Sequence, residues 1–320
     1  MRALQVQGPA VAQVVTVDPP APAPGEVIVS VATAAICNTD RKLTTRGASP
    51  GRTLGHETAG YLQDGTAVGV HPDISCGKCA SCRAGLDSHC PDKVAVGIDR
   101  DGGLAGSVAV PAAHAVPLEG VPVEFAPMLE PLACCVHAVR RAGPFDGPAV
   151  VVGAGAMGIF LTWVLRAAGT TVAVCQSSAA RRDQASRLGA DVVLTSEQDP
   201  REVLDEQPGA IFVTAPGADA LQWGLRHVAT AGVVHAFAGT PGGALVDANL
   251  VHYGHLQLVG STGSGLLDYR RARDLVRDGS VNLSSLPHRR TDLDGAARAV
   301  VAAPAANELR TLIDINEGDR

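Results

Sequence analysis

Val150-Val151-Val152-Gly153-Ala154-Gly155-Ala156-Met157-Gly158 runs from three valines into G-x-G-x-x-G and then into a helical pattern over 157–168. The valines favour a strand. Gly153 permits a tight turn, Gly155 lets a pyrophosphate approach the backbone, and Gly158 allows close helix–strand packing. Ala156 and Met157 lie on the first helical turn, where free N–H groups and the positive end of the helix dipole suit phosphate. A bare glycine motif is weak evidence and can be an ordinary βα turn. The strand–turn–helix context gives this one its meaning as a dinucleotide site.

A regular alternation continues downstream. Strands are expected at 149–152, 171–175, 190–194, 210–213, 233–238 and 256–259, and helices at 179–188, 220–229 and 269–276. Strands alternating with helices imply a doubly wound α/β sheet. Upstream the texture differs. Val27–Val31 reads as a strand after the breaker Pro22-Ala23-Pro24-Gly25, and short apolar runs alternate with Gly and Pro to about residue 125, with no long helical pattern. Residues 130–142 read as a helix that Gly143-Pro144-Phe145-Asp146-Gly147-Pro148 ends. The tail after about residue 280 need not belong to the α/β sheet.

The end of the second Rossmann strand selects the cofactor. An acid there accepts hydrogen bonds from the adenosine ribose 2′-OH. This chain has Gln176, followed by Ser177, Ser178, Arg181 and Arg182. A 2′-phosphate meets no like charge there and finds hydroxyls and an arginine nearby, which leans toward NADP over NAD. The other reading is that Gln176 hydrogen-bonds the ribose of NAD and the arginines face solvent.

Cys76-x2-Cys79-x2-Cys82-x7-Cys90 places four thiols in a short span rich in small residues. Four thiolates can surround one ion at about 2.3 Å per Zn–S bond and leave no open position, so that zinc is expected to be structural. Two disulfides are the alternative, disfavoured in a reducing compartment. Cys37, His56-Glu57 and Glu130 are each of a kind that binds zinc. Gly55-His56-Glu57 is a tight turn bearing a histidine and an acid, and Glu130-Pro131 opens a helix.

Ile36-Cys37-Asn38-Thr39-Asp40, Gly55-His56-Glu57, the four-Cys lobe, Leu129-Glu130-Pro131-Leu132-Ala133 and the glycine motif occur in the order found in zinc-dependent medium-chain dehydrogenases/reductases. The chain resembles that family over nearly its whole length, and most of all its polyol (sorbitol-like) branch. The resemblance implies a GroES-like β-rich catalytic domain over 1–130, a Rossmann domain over 131–265, and a return to the catalytic domain over 266–320. It implies two zinc ions per chain, one structural and one catalytic. Cys37, His56 and Glu130 would lie close to the catalytic ion, directly or through water, with Glu57 as a fourth or alternate ligand. Thr39 matches the hydroxyl that passes the substrate proton, and Asp40 the acid that orients the ligand histidine. Arg310 matches a C-terminal arginine that contacts the cofactor pyrophosphate. Gly239 and Ser261 fall at strand ends where the nicotinamide rests. Lys42 stands where many relatives carry a proton-relaying histidine, and the loops from Asp40 to His56 and from Gly55 to Val70 are shorter than usual.

The implied activity is hydride transfer between NAD(P) and a secondary alcohol or ketone, of polyol, cyclitol or sugar-derivative type. An alkene or imine reductase on the same scaffold and a non-catalytic dinucleotide-binding protein are the rival readings. Composition narrows the partners. The 320 residues are 46% hydrophobic and carry a net charge of −6 without a basic cluster, which gives no footprint for nucleic acid. No apolar run reaches the roughly 18 residues of a membrane span. Met1–Val6 lacks the long apolar stretch of a signal peptide, so a cytoplasmic protein is expected. A small-molecule substrate and a homodimer or homotetramer complete the expectation. Cys134, Cys135, His71, His89, His114, His137 and His235 are assigned ordinary structural roles, and His252 and His255 are left unassigned.

Overall fold

The structure, a computed structural model, describes residues 1–46, 49–302, 308–315 and 317–319. The chain divides into two units, 1–133 with 264–320, and 134–263.

In the first unit, β1 (Arg2–Gly8) and β2 (Val11–Thr16) form an antiparallel hairpin. The Pro/Gly segment then releases β3 (Glu26–Ile36). Next come α1 (Asn38–Arg46), β4 (Glu57–Tyr61), β5 (Ala67–Val70), β6 (Asp73–Ile74), α2 (Ala80–Arg83), β7 (Val94–Ala95), β8 (Ser107–Pro111), β9 (Ala115–Pro117) and the start of α3 (Leu129–Ala142), whose residues from Cys134 on belong to the second unit. β3 is long enough to serve three partners, with its start on β8 and its end between β4 and a C-terminal strand. α1 is a nine-residue helix that no helical pattern in the sequence marks. Only Asp40 and Thr44 of it are buried, so it has no apolar stripe for the sequence to reveal. It starts where it does because Asp40, three residues into the helix, accepts the Cys37 backbone N–H at 2.8 Å, half of a capping box.

The second unit contains β10 (Ala149–Val152), α4 (Ala156–Ala167), β11 (Val172–Cys175), α5 (Ala179–Arg187), β12 (Val192–Leu194), α6 (Pro200–Leu204), β13 (Ala210–Val213), α7 (Ala218–His227), β14 (Val233–Ala236), α8 (Ala248–Gly254) and β15 (Gln257–Gly260). The strands pair in parallel in the order β12-β11-β10-β13-β14-β15. β10, β11 and β13 are buried at every position, so they read as continuous apolar runs and not as alternating ones. The order reverses between β10 and β13, the switch point outside which ligands bind in such sheets. α4 leaves that point against β10, and a Cβ on Gly158 would stand 1.9 Å from the Gly153 carbonyl oxygen. Gly158→Ala is therefore expected to cost about 1–3 kcal/mol of stability, read as a lower urea midpoint, with weaker dinucleotide binding alongside.

The chain then returns to the first unit as α9 (Leu266–Arg277), β16 (His288–Thr291), α10 (Leu293–Val301) and β17 (Arg310–Asp314). β17 runs antiparallel to β3 and parallel to β16, completing a seven-stranded sheet. Leu4, Val29, Val31, Ile36, Val68, Leu104, Leu293 and Ile313 share its core.

His235 of β14 is fully buried, stacked on Phe212 at 5.4 Å and with the tilted ring of Phe237 at 6.1 Å, by ring centroids. Among the described residues neither ring nitrogen has a hydrogen-bond partner. Burial lowers its pKa to about 4, against about 6.5 in an unfolded chain. The folded protein holds the ring neutral, so stability is full above about pH 6.5 and is lost as the pH falls toward 4. His235→Phe keeps a ring in the stack and is expected to flatten the decline of Tm between pH 7 and pH 5.

Candidate active site

Cys37 ends β3, where strand register sets Ile36 against Thr311, the neighbour of Arg310. His56 and Glu57 lie at the start of β4, delivered by a turn that only glycine fits. Gly55 has φ +104°, and a Cβ there would stand 2.4 Å from the Leu104 backbone nitrogen. The backbone of the 97–104 loop lies directly on this turn. Cβ atoms on Gly97 and Gly102 would stand 2.5 and 2.3 Å from Gly55. Gly103 N–H donates to the Gly55 carbonyl at 2.8 Å and Leu104 N–H to that of Leu54 at 2.9 Å.

One ligand atom each from Cys37, His56 and Glu57 lie within 4.8 Å of one another. His56 and Glu57 are buried and Cys37 is half-buried. Asp40 is buried and faces two ways: Oδ2 holds the Cys37 N–H, and Oδ1 lies 3.3 Å from His56 Nδ1. Turning Nδ1 toward a carboxylate leaves Nε2 as the ring nitrogen for a metal. Burial opposes the His56 imidazolium, but Asp40, with help from Cys37, outweighs it and raises the pKa well above the ordinary value. Glu57 Oε1 accepts from Arg310 Nη1 at 2.9 Å, while its Oε2 is buried with no hydrogen-bond partner among the described residues. Burial works against the charge on Arg310, but Glu57, Cys37 and Glu130 more than offset it, so its pKa is raised. Glu130 is half-buried on the first turn of α3 and is not in the close trio, though its charge acts on Arg310 and Tyr269. A thiol, an imidazole nitrogen and an unpartnered buried carboxylate oxygen converging on one point fit zinc. Thr39 Oγ1 lies 3.9 Å from Cys37 Sγ, and Lys42 is exposed one turn further along α1.

Cys76, Cys79, Cys82 and Cys90 also converge within 4.8 Å. Their sulfurs are 3.4 Å apart for Cys79–Cys82 and 4.0 Å for Cys76–Cys82. Those separations straddle the about 3.8 Å expected between two thiolates on a tetrahedral zinc and far exceed a disulfide bond of about 2.05 Å. Backbone N–H groups of Lys78 and Cys79 lower the Cys76 pKa to about 7, toward the thiolate a metal needs.

At the carboxyl ends of the parallel strands lies a cleft of about 660 Å³ between β11 and α7. Gly153, Gln176 and Ser177 line it, as do Asp219, Gln222, Trp223 and Arg226. Gly155 caps α4, so Ala156 and Met157 begin the helix beside the cleft. Gln176 Oε1 accepts from Ser177 Oγ and Ser178 N–H, each at 3.2 Å. Arg182 Nη1 donates to the carbonyls of Gln176 and Ser177 at 2.7 and 2.6 Å. Arg181 Nη1 stands 4.0 Å from where a Gly155 Cβ would be. Gly239 and Ser261 follow the adjacent strands β14 and β15. The α7 residues were missed in the sequence, although Asp219, Gln222, Trp223 and Arg226 form an i, i+3, i+4, i+7 stripe on a helix that follows a Rossmann strand.

Two family models match the chain, the alcohol dehydrogenase GroES-like domain over residues 23–120 and the zinc-binding dehydrogenase domain over 156–278. The L-threonine 3-dehydrogenase of Pyrococcus horikoshii is 34% identical over 303 residues, 86% of each chain. This chain belongs to the zinc-binding alcohol dehydrogenase family. Another member, the L-galactonate-5-dehydrogenase of Escherichia coli, is 33% identical over 196 residues, 56% of this chain and 57% of that one. A zinc-binding dehydrogenase of Sinorhizobium meliloti, solved with NADP bound, is 29% identical and superposes with a TM-score of 0.89 over 98% of both chains. As a zinc-binding dehydrogenase the protein is an oxidoreductase with a GroES-like and a Rossmann-type domain. Among the described residues no helix is long and apolar enough to cross a membrane.

Proposed function

We propose that this dehydrogenase transfers a hydride between NAD(P) and a secondary alcohol or its ketone, the substrate being a polyol, cyclitol or sugar derivative. The observation that carries the reading is the convergence of Cys37, His56 and Glu57 beside the Thr39 hydroxyl. Relatives named for L-threonine and L-galactonate support a small hydroxylated substrate.

Zinc held by this trio, with Glu130 as a further or alternate carboxylate, supplies Lewis acidity toward the substrate oxygen. A dinucleotide on the Gly153–Gly158 turn supplies the hydride acceptor. Thr39 Oγ1 would accept the substrate hydroxyl proton as its own O–H proton passes on toward water or toward Lys42, one turn away and exposed. Asp40 fixes both His56 and the Cys37 backbone, so the ligands need not reorganise as the reaction proceeds. Arg310 holds Glu57 in place through its ion pair. The test is a panel of polyols, cyclitols and amino sugars with both cofactors. Reduction of a conjugated alkene or imine, with no alcohol oxidised, would overturn the reading.

NADP(H) is the preferred cofactor in this proposal, because Gln176 removes the carboxylate that would repel a 2′-phosphate. Gln176→Asp is expected to shift kcat/KM toward NAD. A wild type that already favours NAD by tenfold or more (about 1.4 kcal/mol) would show the missing acid to be unimportant.

The protein works as a homodimer or homotetramer in the cytoplasm. β15 ends its sheet with one edge unpaired, and Leu258 on it and Tyr253 and Leu245 before it are exposed at 40%, 76% and 88%. Native proteins rarely leave such an edge and such side chains to water. Light scattering on the eluting protein tests the assembly, and a monomer there would reject it. The eight free cysteines suit a reducing compartment, which cell fractionation checks.

A further inference from the structure

We propose that Arg226, on α7, is the side chain that recognises the 2′-phosphate of NADP(H). This rests on the dinucleotide reading above and adds which residue separates the two cofactors.

The wall of the cleft contributed by β11 is neutral, made of Cys175, Gln176 and Ser177, and Ser196 beyond β12 is neutral as well. None of the three arginines of α5, Arg181, Arg182 and Arg187, lines the cleft. Arg182 is engaged with two backbone carbonyls. Arg181 carries its charge to Gly155 and so to the N-terminus of α4, the place of the diphosphate. NAD and NADP share that diphosphate, so Arg181 does not tell them apart.

The opposite wall is different. α7 turns Asp219, Gln222, Trp223 and Arg226 toward the cleft. Among the described residues that line it, Arg226 is the one cation. Helical side chains lean toward the N-terminus of their helix, and here the lean is fixed by hydrogen bonds. Arg226 Nη2 donates to Gln222 Oε1 at 3.0 Å, and Gln222 Nε2 donates to the Leu245 carbonyl at 2.7 Å. The guanidinium is thereby drawn one turn back, toward the strand ends. Trp223 stiffens the same wall, its Nε1 donating to the Ser196 carbonyl at 3.0 Å and its ring stacked 4.3 Å from His227. No carboxylate pairs with Arg226 among the described residues, and Asp219 begins about 10 Å earlier along the helix axis. A guanidinium held by one neutral acceptor keeps most of its five donors for a phosphate, which it can meet bidentately.

The test is fluorescence titration of NADPH and NADH into the wild type, Arg226→Gln and Arg181→Gln, with adenosine 2′,5′-bisphosphate and 5′-AMP as competitors that report on the adenosine end alone. Arg226→Gln is expected to weaken NADPH and the bisphosphate about tenfold or more while leaving NADH and 5′-AMP within about twofold, and Arg181→Gln to weaken both dinucleotides alike. Equal losses for both cofactors in Arg226→Gln mean a contact with adenine and overturn the proposal. Loss of the NADPH preference in Arg181→Gln alone returns the role to α5 and overturns it too. A wild type that binds neither dinucleotide removes the cofactor reading itself, a result distinct from either.

Discussion

Cys37→Ala is expected to lower kcat/KM by at least about a thousandfold, roughly 4 kcal/mol of transition-state stabilisation, while dinucleotide titration stays near wild type. The trio just after β3 and at the start of β4 has three members, so removal of its thiol leaves only a His56 nitrogen and a Glu57 carboxylate oxygen to hold an ion. The glycine turn belongs to the other unit and does not depend on Cys37 for its shape. Glu130→Ala is the informative companion. Glu130 is outside the close trio yet acts on Arg310, so a large loss in this variant identifies it as a metal-side carboxylate, and wild-type activity leaves Glu57 alone in that role. Normal turnover in both variants would sink the catalytic-zinc reading.

The second large effect is on integrity. Metal analysis of protein purified without chelator is expected to find two zinc ions per chain from the two ligand sets, and Cys79→Ser to find one. The lobe from Cys76 to Cys90 buries only Ser88 and Cys90, and its helix α2 buries nothing. A segment with so little apolar contact cannot offset its conformational entropy by packing. Beyond short-range turn hydrogen bonds such as Leu86 N–H to Ser81 and Cys90 N–H to Asp87, its order comes from the four sulfurs and from backbone N–H···S contacts, Cys76 to Cys90 at 3.3 Å and Cys82 to Cys79 at 3.4 Å. Losing one sulfur therefore releases the whole lobe, because binding energy at such a site is folding energy. Limited proteolysis is expected to cut Cys79→Ser between residues 76 and 90 while the wild type resists. Retention of both ions by the variant would disprove the assignment.

The Rossmann-type unit was legible because its signals are local. Fully buried parallel strands are apolar throughout, and the glycines between β10 and α4 meet steric demands within nine residues. The metal set was legible differently. Nothing about Cys37 or His56-Glu57 alone marks a ligand; order along the chain suggested the pairing, and β3–β4 register with the Gly55 turn brings those atoms together. Three features were out of reach. α1 hides because its buried residues are an aspartate and a threonine. The ion pair between Glu57 and Arg310 joins residues at opposite ends of the chain, and no period connects them. The adenosine-side wall went unread because α7 mixes core positions such as Leu221 and Leu225 with the stripe that faces the cleft.

The loop from Gly97 to Leu104 carries no chemistry of its own. Because two of its glycines rest against the turn that presents His56, even one added methyl group there would push on the ligand. In a saturation library selected for activity, Gly97 and Gly102 should tolerate replacement as poorly as Cys37 does, while exposed Lys42, on the helix that follows Cys37, should accept many residues at a graded loss. The map of intolerance would outline a scaffold, and its darkest positions would include two that touch no substrate at all.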